Sequence, residues 1–212
     1  MTDFLPLFPL RLVVFPGENL NLHIFEPRYR QLIRECQEQP STFGIPTFVE
    51  DRVQALGTEM TLVGIEKYYP NGEMDVKTRA VGRFKIIDFY NTAPDKLYAG
   101  GDVERIAEDA DYAGSLAART LILEQLGELF KIMGLKDKLH PDPVTFRTFM
   151  AGHQMGLSLE QEYQFLCILG EEERQDFILQ HLEKVIPTVR EMERLRERVQ
   201  MNGYFKNMPP LL

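Results

Sequence analysis

The sequence predicts an α+β protein, a barrel-like sheet followed by an α-helical bundle, and three observations predict it. Up to Arg105, Val, Ile, Phe, Tyr and Thr fall in short runs broken by Gly, Pro and Asn, the pattern of strands and tight turns. After Asp111, apolar residues recur at three- and four-residue intervals, the period of helices that bury one face. The 212 residues exceed one average domain and fall short of two, and 44% hydrophobic with 26% charged residues is the balance of a chain that buries a core. The domains are accordingly placed at 1–108 and 109–212.

In the first part, strands are expected over Leu7 to Phe15, Leu20 to Phe25, Thr42 to Glu50, Glu59 to Tyr68, Glu73 to Val81, Arg83 to Phe89 and Leu97 to Ile106. Tyr69-Pro70-Asn71-Gly72 joins two of them as a hairpin turn, since Asn-Gly tolerates positive φ. One helix begins at Pro27, a favoured first-turn residue, and carries Tyr29, Leu32, Ile33 and Cys36 on a single stripe until Gln39-Pro40. Glu26 is expected to cap that helix with its carboxylate, and Arg28 to anchor it to the sheet.

In the second part, Tyr112 to Met133 presents Leu116, Leu123, Leu126 and Phe130 on one face and closes at Gly134. Asp142-Pro143 opens a helix carrying Phe146, Phe149, Met150 and His153. Ser158 with Gln161 forms a capping box ahead of Leu159, Tyr163, Leu166 and Cys167. Glu171 to Met201 reads as one long helix with Ile178, Leu182, Val185, Val189, Met192 and Val199 near heptad positions. Pro187 should kink it and Asn202-Gly203 should stop it.

Composition excludes several classes of function. A net charge of −8 repels a phosphate backbone, and Arg190, Arg194, Arg196 and Arg198 alternate with Glu191, Glu193 and Glu197, so no nucleic-acid partner is expected. No apolar run approaches the roughly 20 residues of a membrane helix, and the first residues lack the basic start and cleavage site of a signal peptide. Cys36 and Cys167 sit in helical stripes as buried thiols, which points to the cytoplasm.

The opening segment carries a resemblance. Leu5-Pro6-Leu7-Phe8-Pro9-Leu10, then Val14-Phe15-Pro16-Gly17, then Leu22-His23-Ile24-Phe25-Glu26-Pro27-Arg28-Tyr29 resembles the signature of the Lon protease N-terminal domain family, in its stand-alone form. Leu56-Gly57-Thr58, Gly64-Ile65 and Arg79-Ala80-Val81-Gly82-Arg83-Phe84-Lys85-Ile86 follow in that family's order. The likeness covers the sheet half nearly completely and the helical half more weakly. It implies a PUA-like β pseudo-barrel followed by a helical bundle. It also implies a role in recognising protein substrates, with hydrolysis left to ATPase and peptidase domains.

The residues themselves offer no legible enzyme. No Gly-x4-Gly-Lys-Ser/Thr phosphate loop occurs: Gly64 is followed by Ile65 and Glu66. Ser41, Ser115 and Ser158 are the only serines, and none sits in a Gly-x-Ser-x-Gly elbow. The histidines, His23, His140, His153 and His181, lack the i, i+4 spacing of a zinc helix. His23 should point to solvent, while His153 and His181 should line the bundle. The acidic run Asp102, Glu104, Glu108, Asp109 and Asp111 reads as a solvated linker and lacks the spacing of a calcium loop. No cofactor or metal is expected.

What remains is apolar surface. Tyr68 and Tyr69 flank a hairpin tip, Phe89 and Tyr90 end a strand, and Tyr204 and Phe205 precede Met208-Pro209-Pro210-Leu211-Leu212. Aromatics near loop tips commonly fill core corners; left exposed, these six are the candidate contacts for apolar peptide. The expected function is non-catalytic binding of unfolded or apolar polypeptide segments in a groove between barrel and bundle, with strand-edge pairing as a supplement. An adaptor or assembly subunit for a protease or for itself is the alternative, and a peptidase with a cryptic site ranks last.

Overall fold

The structure, a computed structural model, describes residues 2–107, 114–135 and 142–206, the side chains of 200–206 excepted. The chain divides into two compact units, Met1–Asp111 with Gly152–Leu169, and Tyr112–Ala151 with Gly170–Leu212. The periodicity of 152–169 alone assigns it to the helical part; its contacts place it with the sheet.

The first unit contains six strands, β1 (Asp3–Leu7), β2 (Asn19–Ile24), β3 (Thr42–Val49), β4 (Arg52–Tyr68), β5 (Met74–Tyr90) and β6 (Ala99–Ile106), with helix α1 (Pro27–Glu38) between β2 and β3. Its pairings run β1–β3, β3–β4, β4–β5, β5–β6 and β6–β1, which closes a circuit and removes most free edges. β1–β3 is the parallel pair; the others are antiparallel.

Opposite β4, β5 serves two further neighbours. Its second half, Arg83 to Tyr90, pairs with β6, and its first half, Met74 to Arg79, pairs with β2. β4 and β5 therefore extend beyond the closed circuit as a long hairpin arm. At its tip the Gly72 amide donates to the Tyr69 carbonyl, and Gly72 alone takes the positive φ, +83°, so the expected Asn-Gly turn uses only its glycine.

Two cores follow. Tyr29, Leu32, Ile33 and Cys36, the stripe read from the sequence, bury against Ile24, Phe43, Ile45, Met60, Met74 and Val76, so α1 covers one face of the arm. Leu5, Leu7, Phe84, Ala99 and Val103 fill the second cluster. Phe84 lies so close to Gly44 and Gly57 that a Cβ there would sit 2.5 Å and 2.7 Å from its ring, which explains the glycines in those strands.

Helix α3 (Leu159–Cys167) belongs to this unit, and its Ser158–Gln161 capping box is formed as expected. The Tyr163 hydroxyl accepts from the Leu56 amide at 3.2 Å, and Phe165 meets Phe15 edge-on at 5.5 Å. Arg83, fully buried, donates to the carbonyls of Leu166 at 2.5 Å and Ile168 at 2.8 Å, closing the end of α3.

The second unit contains α2 (Leu116–Ile132), a 3-10 turn (Thr148–Ala151) and α4 (Glu171–Lys206). Ile122, Leu126, Leu129 and Phe130 of α2 and Ile178, Leu182 and Ile186 of α4 are buried, and the two helices lie against each other. Glu171 accepts from the Thr148 amide and hydroxyl and pairs with Arg174 at 2.7 Å, a buried polar knot.

Several local expectations differ. The first strand ends at Leu7, because Pro9 offers no amide, and only a bridge at Leu10–Thr47 follows. β5 runs unbroken through Gly82, which pairs with Glu59. Asp142 caps a turn through the Val144 amide, and the expected helix there reduces to the 3-10 turn. α4 continues past Asn202-Gly203 to Lys206. Glu26 stands at the N-cap of α1, but its carboxylate turns to Arg28 at 2.8 Å, and Arg28 lies over the Tyr29 ring instead of anchoring the helix to the sheet.

Candidate functional site

The most distinctive surface of the first unit arises from a mismatch of strand lengths. β3 has eight residues and β4 seventeen, and the β3–β4 ladder stops at Thr42–Thr61. On its other side β4 stays paired with β5 to Tyr68–Met74. Between Leu62 and Tyr68, β4 therefore has one edge with no strand partner among the described residues.

Helix α1 stands beside that edge because Gln39-Pro40-Ser41 is the whole link from α1 to β3. The space between them is a groove of about 350 Å3 lined by Cys36, Gln37, Pro40, Ser41 and Thr42 on one side and Thr61, Leu62, Val63, Gly64 and Ile65 on the other. None of these side chains is charged. Leu62 and Ile65 turn into the core, while Val63 is 61% exposed. Beyond the groove, Tyr68 is 56% exposed, and its hydroxyl donates to the Gln37 amide oxygen at 2.8 Å. Cys36 accepts a weak bond from the Ser41 hydroxyl, and burial pushes its thiol above the usual range, so it is an unreactive wall.

The six aromatics singled out from the sequence do not converge. Tyr68 and Tyr69 lie at the turn end of β5; Phe89 and Tyr90 close its other end, on the far side of its 17 residues. Tyr69 is half-buried: it donates to Asp75 at 2.8 Å and carries the Lys67 ammonium 4.4 Å over its ring. Phe89 packs on the Leu5, Leu7 and Phe84 cluster, and Tyr90 donates to Asp102 at 2.7 Å, which raises its phenol. Tyr204 and Phe205 fall in the last turns of α4, with side chains outside the described residues, as are 207–212.

Two of the histidines, His23 and His153, are held by carboxylates. His23 is exposed, as expected, and bonds Asp75 at 2.7 Å and Glu73 at 3.3 Å; its imidazole is raised and the Asp75 carboxyl lowered by their shared hydrogen bond. His153 belongs to the sheet unit and not to the bundle: it bonds Glu162 at 2.7 Å and Glu18 at 3.2 Å, and the Glu18 bond leads the effects that push it up to about 9. Glu35 accepts from Tyr98, Lys96 and Gln31; burial would raise its carboxyl, but those bonds hold it below the usual value. It ties α1 to the turn before β6 above an open cleft of about 760 Å3 whose cations and carboxylates alternate.

Among the described residues no three His, Cys, Asp or Glu side chains are grouped as metal ligands. His140, Glu108, Asp109 and Asp111 lie outside the described residues. Ser41 bonds Cys36, Ser115 caps α2 and Ser158 caps α3, so each hydroxyl is occupied by structure and none bonds a histidine or lysine. Among the described residues no helix is long and apolar enough to cross a membrane.

The family model of the ATP-dependent protease La (LON) substrate-binding domain matches residues 4–184. Among solved structures, the chain is similar to a Lon N-terminal domain protein from Xanthomonas campestris, at 22% identity and a TM-score of 0.67, over 84% of this chain and 98% of that one. It is also similar to the N-terminal domain of the Mycobacterium avium complex Lon protease, at 16% identity and a TM-score of 0.60, over 85% of this chain and 98% of that one. At these identities the likeness is one of fold, and it matches the pseudo-barrel with helices expected from the opening motifs.

Proposed function

The chain belongs to the Lon substrate-binding domain family, and from that premise we propose that it holds unfolded or apolar polypeptide segments by surface contact, without ATPase or peptidase chemistry of its own. The observation that carries this reading is the uncharged groove between α1 and the outer half of β4, with Val63 exposed in its lining and Tyr68 exposed beyond its end. A client would bury apolar side chains there and against Tyr68, with Tyr69 behind it; Phe89 and Tyr90 would form a separate contact at the far end of β5.

Magnitude sets the kind of binding. Burying about 350 Å2 of apolar area is worth roughly 9 kcal/mol. Association costs of roughly 4 kcal/mol leave about 5 kcal/mol, a dissociation constant in the high micromolar range. Weak, sequence-tolerant capture follows. Fluorescence anisotropy with a labelled, permanently unfolded client measures it: binding that weakens about tenfold in Val63→Asp and in Tyr68→Ala supports the reading, and no binding at high micromolar concentration refutes it. The unpaired thiols, Cys36 buried and Cys167 half-buried, support a reducing compartment, the cytoplasm.

One observation favours a second role as an adaptor or self-assembling subunit. Met192, Leu195 and Val199 are exposed on α4 at i, i+3 and i+7, a stripe that a partner helix would cover. Sedimentation equilibrium tests it: a strict monomer at 100 micromolar would remove self-assembly.

A further inference from the structure

We propose that the outer half of β4 takes a client segment as an added β-strand, so that the client's backbone, and not only its side chains, is what the site reads. The inference rests on the polypeptide-binding reading above. Backbone amides and carbonyls are obligatory hydrogen-bonding groups, and between Leu62 and Lys67 β4 offers them to β5 on one side only. Only another extended backbone repeats donors and acceptors at the spacing of such an edge, which gives the occupant its chemistry.

Three features favour a lone extended segment of an unfolded protein. Gly64 lies mid-edge with nothing within 4 Å of where a Cβ would be, so the sheet face beside the edge is open to the side chains of an added strand. Gln37, Pro40 and Ser41 line the groove opposite the edge, so α1 and its link to β3 bound the space beside β4, which favours a single segment over the edge of a second folded sheet. The lining carries no charge, which matches an uncharged, β-prone stretch of the sort a folded protein keeps inside. Interruptions of the β4–β5 register at Val63 and Glu66 cut the edge into short pieces, so the added ladder is short and tolerant of sequence.

The test uses the full chain and a fluorescein-labelled, uncharged peptide of alternating Val and Ser with Thr. Two further versions carry N-methyl groups on alternate residues, one version in each phase, so that each removes the donors along one edge. Strand addition predicts that one phase weakens binding about tenfold or more while the other changes it less than about twofold. It also predicts that saturating peptide slows amide hydrogen exchange within Leu62 to Lys67. Equal binding of both methylated phases with unchanged exchange overturns the strand-addition mode and leaves the polypeptide-binding reading standing. Failure of every peptide and unfolded client to bind overturns both. Exchange protection of Leu62 to Lys67 that rises with protein concentration without peptide assigns the edge to a second copy and overturns the proposal.

Discussion

Replacing Arg83 by methionine should loosen the end of α3 from the sheet and cost the first unit a large part of its stability. The guanidinium is 1% exposed and donates through one nitrogen to the carbonyls of Leu166 and Ile168, at 2.5 and 2.8 Å. These carbonyls lie at the negative end of α3, where a cation also meets the helix dipole favourably. Each bond to a charged donor is worth about 1.5–3 kcal/mol. Methionine retains the apolar stem, so the loss is mainly those bonds and the two carbonyls left dry. About 3–5 kcal/mol follows, a third or more of the roughly 5–15 kcal/mol that holds a typical domain. Lysine keeps the charge but lacks the planar fork, and should recover about half. Urea unfolding of the three proteins, with hydrogen exchange across Leu159–Cys167, measures both the size and the place of the effect. A methionine variant within about 1 kcal/mol of the native protein, with α3 equally protected, would refute the assignment of Arg83 as the closure of that helix.

Other outcomes follow from the same structure. His153 is raised from 6.5 to about 9, first by the Glu18 hydrogen bond and then by Glu162, against the opposing effect of burial. The stability it contributes is therefore complete below pH about 6.5 and is lost as pH rises through about 9; because its side chain is 41% exposed, only about 1–2 kcal/mol is expected. His153→Gln should flatten that part of the unfolding profile between pH 6 and 9.5. In the second unit, Arg174→Met leaves the Glu171 carboxylate buried beside Thr148 without its cation, and thermal unfolding should report a loss of about 3–5 kcal/mol. Gly152→Ala puts a Cβ into the Phe15 ring, so the mutant should lose roughly 1–3 kcal/mol by the same assay, with the loss relieved in Gly152→Ala with Phe15→Leu.

Much of the chemistry that acts within a turn or two of the chain is legible in the sequence. The α1 stripe of Tyr29, Leu32, Ile33 and Cys36 is buried because a 3.6-residue period leaves it one apolar face. Ser158 and Gln161 satisfy each other's amides because both lie on the same first turn. Expectation and structure differ where a local rule meets a competitor, whether near in the chain or across the sheet. Glu26 occupies the cap position, but Arg28 offered its carboxylate a charged partner. Gly82 looks like a break between strands, but it pairs with Glu59 across the sheet, and the register shift beside it at Val81 interrupts the ladder without ending β5. Asn202-Gly203 looked like a stop, but the backbone of α4 runs through it.

The candidate groove was the least legible feature, for a related reason. Reading β4 from Glu59 instead of Arg52 concealed that it is about twice the length of β3, and with it the unpaired stretch beyond Thr61. Tyr68 was found as an aromatic near a turn, but Val63 and Gly64 look like ordinary strand residues. The four described aromatics were grouped by type, and β5 separates them into two pairs.

Class, most of the element order, the Ser158 cap and the family motifs are thus present in the chain as written, because periodicity, proline and glycine placement and capping act over a few residues. Which half of β4 goes without a second neighbour, why 152–169 joins the sheet, and that Glu18 reaches His153 were settled by contacts between separate elements, up to 135 residues apart. Such pairings compete on length, register and desolvation together, and no short window of sequence contains all three.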